Sequence, residues 1–243
     1  KSIFLMLACC FTLHLQAACP TGNVIYVNVN ATGANDGSSW TNALTDLRSA
    51  ISTTCPGITE VWVAAGTYFP TTTGDRAINF RLRNGRAVYG GFNGTETSLS
   101  QRNWNTNLTI LSGDIGVPGD ISDNSYQVVR NYSFQLNPTA RLDGFTITGG
   151  NATGSSSSSY GGGLFNFQSS PTIANCTFIG NTGTNGGAVA NQNSDPVFLN
   201  CQFTGNTGTQ KGGAIFNETS YPTLTNCSFS GNFSLIGGGL YSS

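Results

Sequence analysis

Charge is scarce in this chain: 10 lysines and arginines and 11 acids are spread over 243 residues, with a net charge of -1. No basic run or stripe is present, and nucleic acid, whose phosphates require clustered Lys and Arg, is excluded as a partner. Histidine occurs once, at position 14, so no imidazole is available to the rest of the chain for acid–base chemistry or a zinc site. Long apolar runs are missing too. The stretch from Ile3 to Leu15 falls short of the roughly 20 residues that cross a bilayer as a helix. What the chain has instead is 32 glycines and an abundance of Asn, Ser and Thr.

These residues are ordered. GGGL opens at Gly161, GGAV at Gly186, GGAI at Gly212 and a further GGGL at Gly237, steps of 25, 26 and 25 residues. Pro171, Pro196 and Pro222 keep the same step, as do the Asn-Cys pairs starting at Asn175, Asn200 and Asn226. A sustained period of this length marks a stacked array of coils. Within each copy, short runs such as PTIANCTF and PVFLNCQF alternate with Gly/Asn/Ser/Thr turns, and helical periodicity is absent. About 25 residues at roughly 3.3 Å each make one turn of a three-sided coil, with parallel strands stacking about 4.8 Å apart. The expected fold is all-β: a right-handed parallel β-helix, right-handed because parallel crossovers overwhelmingly are.

Stacking assigns roles to columns. Ile173, Phe198 and Leu224 form one apolar column, and Phe178, Phe203 and Phe229 form another five residues on. An odd spacing would put the two on opposite faces of a continuous strand, so something between them must break the pleat. Asn175, Asn200 and Asn226 suit that bend, because Asn tolerates left-handed backbone, and their amides can bond up the stack as a ladder. Cys176, Cys201 and Cys227 become a buried, reduced column. One Cys per coil is a line rather than a tetrahedron, which argues against zinc. Asn181, Asn206 and Asn232 mark another corner.

The in-phase pairing of GGA[V/I] at 186–189 and 212–215 with FIGN, FTGN and FSGN at 178–181, 203–206 and 229–232 resembles the repeat of the chlamydial polymorphic outer membrane proteins, over about the last 85 residues. That resemblance implies a secreted or surface-exposed β-helix, in many members an adhesin carried to the outer membrane. Upstream, YVNVNATGANDGSSWTNALTDL, EVWVAAGTY, VYGGFNGTETSLSQRNW and TILSGDIG resemble the start of large secreted β-helix proteins of the pectate-lyase-like superfamily, which implies a fold and export rather than a reaction.

In chain order, residues 1–18 read as a secretory signal peptide: Lys1, an apolar stretch, then Ala17 and Ala18. The absence of an initiating Met, and the break-off inside a fourth copy, lead us to expect a segment of a longer protein. Residues 19–77 supply an N-terminal cap and first strands, with an amphipathic helix expected over Ser39–Ser52. In an exported chain, Cys19 and Cys55 are expected to form a disulfide. Residues 78–160 read as irregular first coils ending in a Ser155–Ser159 insertion expected to be disordered, and 161–243 as the regular repeats.

Chemistry has few candidates. Asp114, Asp120 and Asp123, on the loop GDIGVPGDISDN, can be read as a Ca²⁺ site or as a solvated turn whose acids cap backbone amides; no other cofactor is expected. Arg81, Arg83, Arg86, Arg102 and Arg130 can pair with these acids, as ion pairs at the rim of the stack. Trp40, Trp62, Tyr68, Tyr89 and Trp104 can stack on sugars, but their place among the cap residues assigns them to the core. Two functions remain open. One is a non-catalytic, adhesin-like or structural surface protein with an extracellular glycan or protein ligand, reaching the outer membrane only through an anchor or barrel outside this segment. The other is a polysaccharide lyase or glycoside hydrolase, with its site in the early coils or downstream. Specificity is expected where the copies differ: Phe167–Ser170, Gln192–Asp195, Glu218–Tyr221 and the Ser155–Ser159 loop.

Overall fold

A computed structural model describes residues 19–243; the signal peptide assigned to residues 1–18 lies outside them. The chain is a parallel β-helix. Its strands are short, and every strand pairing in the described residues is parallel and between successive coils, in sheets of seven, five, six and four strands. One coil shows the pattern. Val189–Gln192 joins the five-stranded sheet, Val197–Leu199 the seven-stranded, Gln202–Thr204 the six-stranded and Thr207–Lys211 the four-stranded sheet.

The coil is therefore four-sided, not three-sided. Each regular coil turns at four left-handed residues: Gly186, Asn193, Asn200 and Gly205 in this one (φ 73, 49, 54 and 61°), with Gly161, Gln168, Asn175 and Gly180 before it and Gly212, Thr219, Asn226 and Gly231 after it. The side missed by the sequence reading is the Thr-Gly-Thr segment, too polar and glycine-rich to read as a strand. A β-branched Thr at φ 49° is an outlier for its residue type. Backbone bonds on both sides of it, Asn193 N–H to Glu218 O and Thr219 N–H to Ser243 O, keep the corner in register.

Stacking builds the core. The column Ile25, Val61, Val88, Leu142, Ile173, Phe198 and Leu224 runs through the seven-stranded sheet. Phe178, Phe203 and Phe229 stack face to face, with centroids 5.1 and 4.9 Å apart. Ile173 and Phe178 are both fully buried because the left-handed Asn175 between them turns the chain inward again. Asn226 Nδ2 donates to Asn200 Oδ1 (3.2 Å) and Asn200 Nδ2 to Asn175 Oδ1 (3.1 Å), a ladder along an outer corner.

Asn181, Asn206 and Asn232 are a stronger ladder, turned inward. Asn206 is fully buried. Its Oδ1 accepts from the Asn181 backbone N–H (3.0 Å) and Asn181 Nδ2 (3.1 Å), and its Nδ2 donates to Phe178 O (2.9 Å) and Asn232 Oδ1 (2.9 Å). A third inward ladder, Asn131–Asn166–Asn191–Asn217, was not recognised in the sequence, although Asn166, Asn191 and Asn217 keep the repeat step.

Cys176 and Cys201 are buried, Cys227 is partly exposed, and all three are free thiols. Burial pushes the Cys176 thiol up to about 12, so thiolate, the reacting form, is nearly absent at neutral pH. Iodoacetamide at about pH 8 is expected to leave Cys176 and Cys201 unmodified in the folded chain while labelling Cys227, as read by peptide mass mapping; denaturant should equalise the three. Cys19 and Cys55 are joined in a disulfide with Cα atoms 5.4 Å apart, linking the entry to the first strand with the segment after the helix.

The expected helix and serine loop are both corrected, and the early coils are resolved into their strands. The helix spans only Leu47–Ser52, because Leu44 exchanges backbone bonds with the first strand (Leu44 N–H to Tyr26 O, Asn28 N–H to Leu44 O) and Asp46 caps the amides of Arg48 and Ser49. Leu47, Ala50 and Ile51 still close over the core. RLDGFTIT is two strands, Arg141–Asp143 and Thr146–Thr148, with Gly144 at φ 84° between them. Around Asn84-Gly85, Ala87–Phe92 is a strand, while the segment before the turn contributes a single bridge from Phe80 to Val129. The Ser155–Ser159 segment is ordered: Ser156–Ser159 is a 3₁₀ turn, held by Gln127 Nε2 to Ser157 O (2.9 Å) and Arg130 to Ser157 Oγ (3.0 Å).

Candidate functional site

Sequence variation and surface chemistry meet on the outer face of the five-stranded sheet. Its inward positions are Val129, Leu164, Val189, Ile215 and Leu240; the next residue along each strand points out. That outward column is Arg130, Phe165, Ala190, Phe216 and Tyr241. Ala190 leaves a gap between the two phenylalanines. Tyr160, at the end of the serine loop, lies over it, with its ring 5.5 Å from Phe165 and 5.9 Å from Phe216. The serine loop is thus anchored by one aromatic residue onto this sheet.

Two residues further along each strand, Tyr132, Phe167, Gln192 and Glu218 are paired in register. Three of the four belong to segments that vary between repeats. Tyr132 stacks on Phe167 at 4.7 Å, Arg130 lies 4.7 Å above the Tyr132 ring, and Gln192 Nε2 donates to Glu218 Oε2. Tyr132 and the neighbouring Phe134 are each about two-fifths exposed, at 41% and 42%, and Arg81 lies over Phe134. The result is a face with exposed aromatic rings, two arginines, one carboxylate and the serine loop beside them. No paired carboxylates stand here to act as acid and base.

The acidic loop does not converge on a point. Asp114 accepts from the Gly119 amide (3.0 Å), Asp120 from Ser122 (2.8 Å) and Asp123 from Val117 (2.7 Å). Among the described residues no three His, Cys, Asp or Glu side chains gather in a way that could hold a metal. The hydrogen bond from Ser122 holds the Asp120 carboxyl below its ordinary value, as expected of a turn cap. Asp123 Oδ1 is buried without a partner.

The arginines available to pair with that loop go elsewhere. Arg86, buried, donates to the carbonyls of Ile51 (2.9 Å), Thr53 (2.9 Å) and Ile58 (3.1 Å), and Arg83 to Ser52 and Thr53; both satisfy carbonyls that the helix C-terminus leaves open. Arg102 pairs with Asp143 at 2.7 Å, and Arg141 grips its other oxygen at 2.6 Å. Asp143 also accepts from Asn175 Nδ2 (2.8 Å), so the outer asparagine ladder ends on a buried carboxylate clamped by two guanidiniums. Asp143 does not stand out in the sequence as a site residue. Its position in RLDGF, just before the glycine aligned with Asn175, was the available signal.

A family model described as the Chlamydia polymorphic membrane protein repeat matches residues 200–218. No curated protein and no solved structure matches the chain. The matched stretch contains FTGN and GGAI, and most of these residues have a defined place in the coil. Phe203 stacks in the core and Asn206 is the buried ladder rung. Gly212 turns left-handed, and a Cβ on Gly213 would lie 2.2 Å from Gly238 O. Ala214 and Ile215 are fully buried. The motif encodes one corner and one core rung of the coil. Among the described residues no helix is long and apolar enough to cross a membrane.

Proposed function

We propose that the chain is the recognition-bearing part of an exported, surface-displayed β-helical protein with an adhesin-like role, and that the outer face of the five-stranded sheet engages a protein on an opposing surface. The observation that carries this reading is the convergence of Tyr132, Phe134, Phe167, Arg81 and Arg130 with the varying repeat segments and the serine loop on one exposed face. Exposed aromatics and arginines are the residue types that dominate protein interfaces. The repeat match at 200–218 supports surface display, and the signal-like residues 1–18 support export. Attachment to the outer membrane would come from an anchor or barrel elsewhere in the protein. The upstream likeness to pectate-lyase-like proteins fits the coil architecture and adds no reaction.

The test is attachment. Beads coated with the chain should adhere to cultured epithelial cells, and the double change Tyr132→Ala/Phe167→Ala should lower adherence about fivefold or more with the melting curve retained. Protease treatment of the cells should abolish adherence. Undiminished adherence of the variant, or adherence lost to glycosidases alone, would reject a protein partner on this face.

A further inference from the structure

At the corner between the seven- and six-stranded sheets, away from the face just described, a cleft of about 320 Å³ is lined by Trp104, Asn105, Asn175, Thr177, Asn200 and Gln202. Its volume lies at the lower end of the range of about 300–1,000 Å³ seen for small-molecule sites. The lining holds one indole, four carboxamides and one hydroxyl, and no charged side chain. Trp104 is partly exposed, unlike the buried Trp62 and Tyr68.

The cleft is built, not incidental. Trp104 reaches it on the long loop after Phe92, which folds back on the coil: Asn103 N–H donates to Gly91 O (2.7 Å), as does Asn107 Nδ2 (3.2 Å). Gly91 is required there, since a Cβ would sit 2.7 Å from the Trp104 backbone nitrogen. Arg102 lies 4.7 Å from the Trp104 ring centroid and is fixed in turn by Asp143. On the other wall, the outer asparagine ladder sets the amides of Asn175 and Asn200 one coil apart and in line. Each uses only one amide hydrogen on its neighbour. Among the described residues, the Trp104 indole N–H, the Thr177 hydroxyl and the side-chain amides of Asn105 and Gln202 have no hydrogen-bond partner in the protein.

We infer that this corner binds a neutral saccharide. A pyranose has an apolar C–H face and a rim of hydroxyls that both donate and accept. A partly exposed indole complements the face, and carboxamides, which also donate and accept, complement the rim. The uncharged lining leaves nothing to pair with an anionic sugar. The ladder that turns the chain at this corner thereby also lines a binding site, and Trp104 is its anchor. The site shares no residue with the aromatic face, so either proposal can fail alone.

The experiment uses the ¹⁵N-labelled chain, in which Trp104→Phe assigns the Trp104 indole resonance. Trp40 and Trp62, whose indoles donate to Glu96 O and Glu60 Oε2, report on folding. Titration with lactose, cellobiose and N,N′-diacetylchitobiose should shift the Trp104 resonance saturably for at least one of them, with the other two indoles unmoved. Saturation-transfer signals from that sugar should weaken about tenfold in Trp104→Ala and about threefold in Gln202→Ala, losses of the size one stacking or hydrogen-bonding group supplies. Digalacturonate and sialyllactose should bind more weakly. Absence of a Trp104 shift with all three neutral sugars, binding retained in Trp104→Ala, or preference for an anionic sugar would overturn the assignment.

Discussion

Asn206→Ala is expected to destabilise the chain by about 3–5 kcal/mol, visible as a lower urea midpoint by circular dichroism. The truncation removes the acceptor of the Asn181 backbone N–H and the donor to Phe178 O, both inside the coil. Each buried polar group left without a partner costs about 1–3 kcal/mol. Coils contact only their neighbours, so the damage should be local: the amides of Asn181 and Thr207 should exchange fastest relative to the unaltered chain. Asn200 provides the contrast. It keeps the same repeat step but lies exposed on the outer corner at φ 54°. Asn200→Ala should cost about 1–2 kcal/mol, chiefly for forcing alanine into left-handed backbone, and Asn200→Gly less, because glycine enters that region freely. Equal losses at the two positions would mean that the inward ladder contributes nothing beyond its corner.

Asp143→Ala should be comparably severe, at about 3–5 kcal/mol, because it strips the counter-charge from a buried guanidinium. The Arg102 side chain is 8% exposed and that of Asp143 2%, so water cannot replace the lost partner. Arg141, 31% exposed at its side chain, can turn to solvent; Arg102 cannot without leaving the Trp104 ring. The loss should therefore change little between about 0.05 and 0.5 M NaCl, since buried pairs are weakly screened, and the Trp104 indole resonance should move while those of Trp40 and Trp62 stay. Arg102→Met added to Asp143→Ala should recover part of the stability, because it removes the uncompensated charge. A difference that collapses with salt would place the pair at the surface and reject this account.

Sequence spacing made the column architecture legible for one reason. In-register parallel stacking places residues one period apart directly on top of one another, so a column in space is a recurrence in sequence. Phe178/Phe203/Phe229, the cysteine column and the left-handed Asn175/Asn200/Asn226 corner could all be read that way. The fourth side escaped notice because Thr-Gly-Thr, although its threonines are β-branched, has a central glycine and no apolar or aromatic residue to mark a buried strand. The helix was overdrawn because Trp40, Ala43 and Leu44 have helical spacing, while the backbone of Leu44 is claimed by the first strand. The acidic loop drew attention through its density of Asp, yet density does not bring carboxylates together, and each one closes its own turn.

The sequence by itself therefore determined the coil: its length, its parallel stacking, which residues turn and which fill the core. The tertiary structure alone decided what the coil displays. The segments holding Arg102, Trp104, Tyr160 and the serine loop have no period, so nothing in their spacing says which coil edge they will meet. Their destinations depend on room and partners supplied by distant residues. Gly91 and Gly144 clear the way for Trp104 and Arg102, Asp143 fixes the guanidinium beneath the indole, and Ala190 leaves the gap that Tyr160 covers. The scaffold is written in recurrences along the chain, and both candidate binding faces arise from close approaches between residues that recurrence does not relate.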